Sequence, residues 1–199
     1  SIVVINAERQ KRMKNIGIVW FRADLRLHDN EALYRASMEC KKQVGIYFFD
    51  PRSFDTTKLG FPKTGNFRAQ FLIESLRNLK DKLNQLGSDL IIIQGKPEEE
   101  LPLISKRLNS EVLYYHSLTG SEEKRTEDQV VANLSKEKVS INKFWTSTLF
   151  HKEDFPFPVA KTPDVFSNFR KRLEKDCSIR NEFPAPEKLN KPDNIPAST

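Results

Sequence analysis

At 199 residues, with 38% hydrophobic and 30% charged side chains, the chain is long enough for one well-cored soluble domain plus a tail. A formal net charge of +6 favours polyanionic partners, but it governs encounter rates and solubility more than identity. No apolar run approaches the length of a membrane span. Ile2 to Ile5 is too short for a signal-peptide core, and its basic residues follow it rather than precede it. The two isolated cysteines, Cys40 and Cys177, make neither a metal spacing nor a disulfide framework, which makes a reducing compartment the default.

Residues 1–14, with the basic run from Arg9 to Lys14, read as a solvated leader. Ile16 to Phe21 is a short apolar run of the kind buried on both faces of a parallel sheet. It empties into alternating charge at Arg22, Asp24 and Arg26. Asp29 and Asn30 then offer N-cap oxygens to a first helix ending near Cys40. Two readings of the three charges stand: pairing with one another at the surface, or facing a ligand at the carboxyl end of the strand.

Val44 to Phe49 reads as the second strand, closed by Asp50 and Pro51. The longest helix is expected from Asn66 to Leu86, with Phe67, Phe71, Leu72, Leu76, Leu79, Leu83 and Leu86 in one apolar stripe and Gly87 as left-handed C-cap. Asp89 to Gln94 is the third strand. Gly95-Lys96 after it is either an anion-holding turn or a tight turn with a solvated lysine. Pro97 opens a third helix, with Leu101, Ile104 and Leu108 inward. Glu111 to Tyr115 is the fourth strand, and Ser121 to Lys136 a helix with Val130, Val131 and Leu134 inward. Thr119-x-x-Glu122 at its start has the spacing of a capping box. Val139 to Trp145 is a fifth, less regular strand. A last helix, capped by Thr162 with Pro163 in first position, sets Phe166, Phe169 and Leu173 on one face and Arg170, Lys171 and Lys175 on the other. From Ser178 onward prolines accumulate and periodicity stops, so the end reads as linker.

Strict alternation of strand and helix predicts an α/β fold: a five-stranded parallel Rossmann-like sheet in the order 3-2-1-4-5, with helices on both faces. Its default ligand site is the crevice between the first and fourth strands. No Gly-x-Gly-x-x-Gly follows the first strand and no P-loop occurs, which argues against dinucleotide and ordinary nucleoside-triphosphate chemistry. No nucleophile motif stands out. His151, Glu153 and Asp154, flanked by prolines and without another histidine or cysteine near in sequence, do not make a metal set. No catalytic residue and no metal ligand is expected. Aromatic residues close most strands, among them Trp20, Phe48 and Phe49. They either stack on a flat conjugated ligand or reflect ordinary strand propensity.

The stretch Trp20-Phe21-Arg22-Ala23-Asp24-Leu25-Arg26, continuing to Asp29-Asn30, resembles the N-terminal signature of the photolyase/cryptochrome family. Phe61-Pro62-Lys63-Thr64-Gly65, Gly95-Lys96-Pro97-Glu98-Glu99, Ser121-Glu122-Glu123, the run from Trp145 to Phe157, Pro163 to Lys171 and Cys177-Ser178-Ile179-Arg180 resemble its DASH branch. The resemblance implies an α/β domain over 15–160, a connector helix over 161–177 and an interdomain linker over 178–199, with a flavin domain that would follow Thr199. It implies an antenna chromophore, methenyltetrahydrofolate, with a deazaflavin or none as alternatives. The antenna would pass excitation to FAD in that helical domain, which would repair pyrimidine dimers, preferentially in single-stranded DNA. It sets Glu122 on the pterin ring, where one carboxylate can accept from adjacent amino and ring N–H donors. It sets Phe49 and Asp50 against the folate and makes Trp20 and Phe48 stacking candidates. Arg170, Lys171 and Lys175 become candidates for weak, sequence-blind DNA contact.

On this reading the 199-residue polypeptide alone would not repair DNA. It would be a monomer whose partners are its flavin domain and DNA, with no membrane. The compartment would be the cytoplasm of a bacterium, or an organelle or nucleus of a eukaryote. A stand-alone nucleotide-binding or protein-interaction module is the competing reading.

Overall fold

The structure is a computed structural model that describes residues 13–146 and 148–198. The leader expected over 1–14 lies outside the described residues except for its last two, and Lys14 already belongs to a strand. Five parallel strands, β1 (Lys14–Trp20), β2 (Cys40–Phe49), β3 (Leu90–Gln94), β4 (Val112–Ser117) and β5 (Ser140–Trp145), form one sheet in the order β3-β2-β1-β4-β5. The helices between them are α1 (Glu31–Glu39), α2 (Asn66–Gln85), α3 (Pro97–Leu108) and α4 (Ser121–Lys136); α5 (Phe166–Asp176) follows β5. None of the described helices is long and apolar enough to cross a membrane.

The period-2 alternation of the strands divides the core into two layers. Ile18, Trp20, Val44, Ile46, Phe48, Ile91, Ile93, Leu113 and Tyr115 face α3 and α4, meeting Leu101, Ile104, Leu108, Val130 and Leu134. Val19, Phe21, Leu90, Val112 and Tyr114 face α1 and α2, meeting Ala32, Leu33, Ala36, Leu76, Leu79 and Leu83. Parallel register sets Trp20 beside Ile46 on one side and Tyr115 on the other. Its indole therefore packs against Tyr115 at 5.3 Å and edge-on to Phe48 at 6.3 Å.

The helix starts and stops have local causes. Asn30 caps α1, its side-chain oxygen accepting from Leu33 N at 2.9 Å. Gly87 follows α2 at φ +93°, the left-handed conformation that only glycine adopts without strain.

Three expectations are corrected. The apolar stripe of α2 does not reach its start: Phe67 and Phe71 are 91% and 71% exposed, while Leu76, Leu79 and Leu83 are buried. Phe67 and Phe71 stand nine and five residues before Leu76, which at 3.6 residues per turn sets them on the opposite side of the helix from it, while Leu72, on the buried side, packs against the core. The last helix begins at Phe166 with Val165 as N-cap; Thr162 instead closes a 3₁₀ turn over Val159–Lys161, which keeps Pro163 outside the helix. Phe166 is 71% exposed, and the docking face of α5 is Leu173 together with Phe169, whose ring meets Phe155 and Phe157 at 5.9 and 6.1 Å. At α4 the N-cap is Gly120, with no side-chain cap, so the Thr119–Glu122 capping box does not form.

The proline-bearing segment after Ser178, expected as linker, is laid along the domain. Asp29 N donates to Phe183 O, Leu189 N to Leu86 O, Gln43 N to Asn190 O and Lys191 N to Gly87 O, at 2.7–3.0 Å. Leu189 is buried in the layer under α2, while Ile195 packs against the opposite layer. Ser198 Oγ accepts from Ile92 N of the edge strand β3 at 3.0 Å. The segment thus wraps the β3 side of the sheet and satisfies an edge amide that would otherwise seek another chain.

Candidate functional site

The carboxyl ends of β1 and β4 meet at the point where the strand order reverses, and the charges of the first loop are gathered there. They do not pair with one another. Arg22, buried, forms an ion pair with Glu127 of α4, donates to His116 O at 3.4 Å and lies over the Trp20 ring at 4.6 Å. Glu127, 1% exposed, also accepts from Leu118 N at 2.8 Å and Ser117 Oγ at 2.9 Å. Burial alone would raise its pKa, but those donors and the Arg22 guanidinium outweigh it and hold the carboxyl below its ordinary value.

Asp24, 6% exposed, accepts from His116 Nδ1 at 2.5 Å, Arg22 N at 2.8 Å and Asn30 Nδ2 at 3.2 Å. Burial opposes its charge, yet the His116 bond and charge and the Arg22 amide leave it below the usual carboxylate value. Arg26 is tied locally to Asp29, at 2.8 Å to its carbonyl. The signature loop is thus a self-satisfied brace between β1, β4 and α4. Glu127 and His116 carry this brace and escaped the sequence reading. The signal for Glu127 was its place on the inward stripe of α4, at i, i+3 and i+7 with Val130 and Leu134. Beneath the brace, Tyr115 Oη is buried without a hydrogen-bond partner among the described residues.

The predicted cofactor residues fall in three places. Trp20 and Phe48, 3% and 6% exposed, are corrected from stacking candidates to core residues: their alternation points them into the layer under α3 and α4, where their rings are covered. Phe49 is half-buried between Tyr47 and Phe54, at 5.3 and 6.0 Å, and its carbonyl accepts from Gly95 N at 3.1 Å. The Asp50 carboxylate is gripped by Arg52 at 2.6–3.1 Å, and Arg52 bridges on to Glu98 at 2.8 Å. Glu122 stands apart from both pairs. Its side chain is 73% exposed in the first turn of α4, and both carboxylate oxygens are met by Lys63 Nζ at 2.9 and 3.2 Å. Lys63 belongs to the Phe61–Gly65 loop, so two segments of the DASH-like pattern meet in one ion pair.

The other candidates are accounted for by local contacts. Lys96 pairs with Glu99 at 2.8 Å, in keeping with a turn lysine. His151 accepts from Glu153 N at 3.3 Å, and Asp154 holds Arg180 at 2.5–2.7 Å. On α5, Arg170 pairs with Glu174 at 3.5 Å and Arg172 lies over Phe157 at 4.9 Å. Lys171 and Lys175 are exposed.

The profile of the DNA photolyase family matches residues 17–187. A cryptochrome DASH from Gloeobacter violaceus is 42% identical over 172 residues, which cover 86% of this chain and 34% of that protein. The blue-light photoreceptor PHR2 of Arabidopsis thaliana is 38% identical, with 89% and 39% covered. The chain therefore spans about a third of the length of the curated relatives it matches. Among solved structures, a Synechocystis cryptochrome superposes with a TM-score of 0.87 at 39% identity, over 95% of this chain and 40% of that one. A photolyase from Sulfolobus tokodaii, 21% identical with a TM-score of 0.76, shares the fold.

Proposed function

This chain belongs to the DNA photolyase family, as the N-terminal α/β domain of its cryptochrome DASH branch, and we propose that it holds a light-harvesting pterin, methenyltetrahydrofolate, with Glu122 as anchor. The single observation behind this is the Glu122–Lys63 pair: an exposed carboxylate at the sheet's carboxyl end, opposite a loop of the same sequence pattern. A pterin's adjacent amino and ring N–H donors match the two oxygens of one carboxylate. The residues present fit that half of the ligand. Displacing Lys63 costs little, since an exposed ion pair contributes about 0–1 kcal/mol. The resemblance would set Phe49 and the Asp50 backbone against the same ligand, and Arg52 already occupies the Asp50 carboxylate.

Bound there, the pterin would absorb light and pass excitation to a flavin held by the remainder of a full-length protein. The protein's own part is to orient the ring and keep it beside the sheet. The relatives are two and a half to three times longer than the matched region, as the 39% and 34% coverage implies. Dimer repair in DNA and partnership with a flavin domain are accordingly proposed for the full-length protein. An absorption spectrum of the purified protein, before and after mixing with methenyltetrahydrofolate, tests the reading. A saturable, shifted pterin band supports it. Uptake of a deazaflavin instead, or no uptake at all, overturns it.

A further inference from the structure

Beside the site just described, a cleft of about 430 Å³ opens above the carboxyl ends of β4 and β5. Neither Glu122 nor Lys63 lines it. Four cationic side chains from four separate segments converge on it: Lys124 of α4, Lys143 of β5, Lys152 of the turn after β5, and Arg180. Against them stand two carboxylates, Glu31 and Glu153, and Glu31 is paired with Arg35 at 3.3 Å. Arg180 is neutralised by Asp154 and Glu153. Lys143 reaches only Glu127, at 3.4 Å, whose charge Arg22 already balances. Lys152 lies over the Trp145 ring at 4.6 Å. Lys124 and Lys152 have no carboxylate partner among the described residues. Lys124 also sits in the first turn of a helix, where the macrodipole disfavours a cation. The lysines left over, Lys124, Lys152 and the half-balanced Lys143, leave positive charge at one cleft that an anion of more than one charge would balance.

Trp145 and Phe144 add flat apolar surface to the same wall. The volume falls within the range of small-molecule sites, about 300–1,000 Å³. We propose that this cleft binds a phosphomonoester carried on a planar ring, as in a nucleoside monophosphate. The phosphate lies among Lys124, Lys143 and Lys152, and the ring lies against Trp145.

The chain has two tryptophans, and Trp20 is buried under the sheet, so a ligand in the cleft quenches the emission of Trp145. Adenosine monophosphate titrated into the protein should quench fluorescence saturably, and inorganic phosphate should compete. The paired substitution Lys124→Ala and Lys152→Ala removes two exposed side chains that no core contact requires. It should weaken adenosine monophosphate binding at least tenfold by calorimetry. Trp145→Phe should abolish the optical signal, and Glu122→Gln should leave binding unchanged. Adenosine binding as tightly as its monophosphate would overturn the proposal. So would quenching matched by sodium chloride of equal ionic strength, unaltered affinity in the lysine variant, or binding of an oligodeoxynucleotide where the mononucleotide does not bind.

Discussion

His116 donates from Nδ1 to Asp24 across 2.5 Å, joining the carboxyl ends of β1 and β4 through residues 92 positions apart. Asn30, the N-cap of α1, donates to the same carboxylate, so one buried group links two strands and a helix start. The neighbouring Arg22–Glu127 pair ties the same loop to α4.

This brace makes stability depend on pH in a defined direction. Asp24 and Glu127 both titrate below their ordinary values of 3.8 and 4.5 in the folded protein. The unfolded chain therefore binds more protons as pH drops into that range, and the stability the two carboxylates contribute is lost as pH falls through their folded-state values. Thermal melts should show a falling melting temperature from about pH 5 downward. Asp24→Asn breaks the buried pair at a cost of about 3–5 kcal/mol. Its melting temperature should be lower at neutral pH and its acid limb shallower. An acid limb as steep as that of the unmutated protein would show that Asp24 does not carry the effect.

Glu122→Gln separates an anchor from a structural role. Gly120 is the N-cap of α4 and the side chain is exposed, so ligand-free stability should change by no more than about 0.5 kcal/mol. Folate affinity should fall tenfold or more, because a charge-assisted bond worth about 1.5–3 kcal/mol is removed and each 1.4 kcal/mol is about a decade in the constant. Equal folate titrations of the two proteins would remove Glu122 from the site.

Leu189 and Gly87 test whether the wrapped segment belongs to the cooperative fold. Leu189→Ala should destabilise by about 2–5 kcal/mol, as for other buried leucines. Gly87→Ala meets two obstacles, a φ of +93° and the Leu189 carbonyl oxygen 2.6 Å from the new Cβ, and should cost more than about 1 kcal/mol. Denaturant midpoints read both. A Leu189→Ala midpoint equal to that of the parent would mean that the segment detaches before the domain unfolds.

The exposed lysines of α5 predict weak, sequence-blind DNA binding that falls steeply with salt. Lys171→Ala with Lys175→Ala should reduce the log–log salt slope by about 0.9 for each phosphate that is no longer neutralised. Affinity flat from low to physiological salt would assign any DNA binding to another surface.

The architecture was legible because its determinants are local. Ile18 and Val19 alternate between two layers within one short strand, Pro97 and Gly87 mark a helix start and a helix end, and strict strand–helix alternation leaves few topologies. The expected strand order and the helix faces built on Leu76, Leu79 and Leu83 follow from those cues. The partners of the charged loop were not legible. Arg22 finds Glu127 across 105 positions and Asp24 finds His116 across 92, and no spacing rule reaches that far. Periodicity also says that a side chain faces inward without saying what covers it. Trp20 and Phe48 share an alternation with any ligand-facing aromatic, and only α3 and α4 closing over them made them core. Phe67 and Phe71 were grouped with Leu76 by composition, but nine and five residues of helix turn them to its far, solvent-facing side. Leu189, in a stretch without period, is buried because Gly87 lacks a Cβ and lets its carbonyl approach. Local sequence sets which backbone forms and which way a side chain points; what meets that side chain depends on where distant segments end.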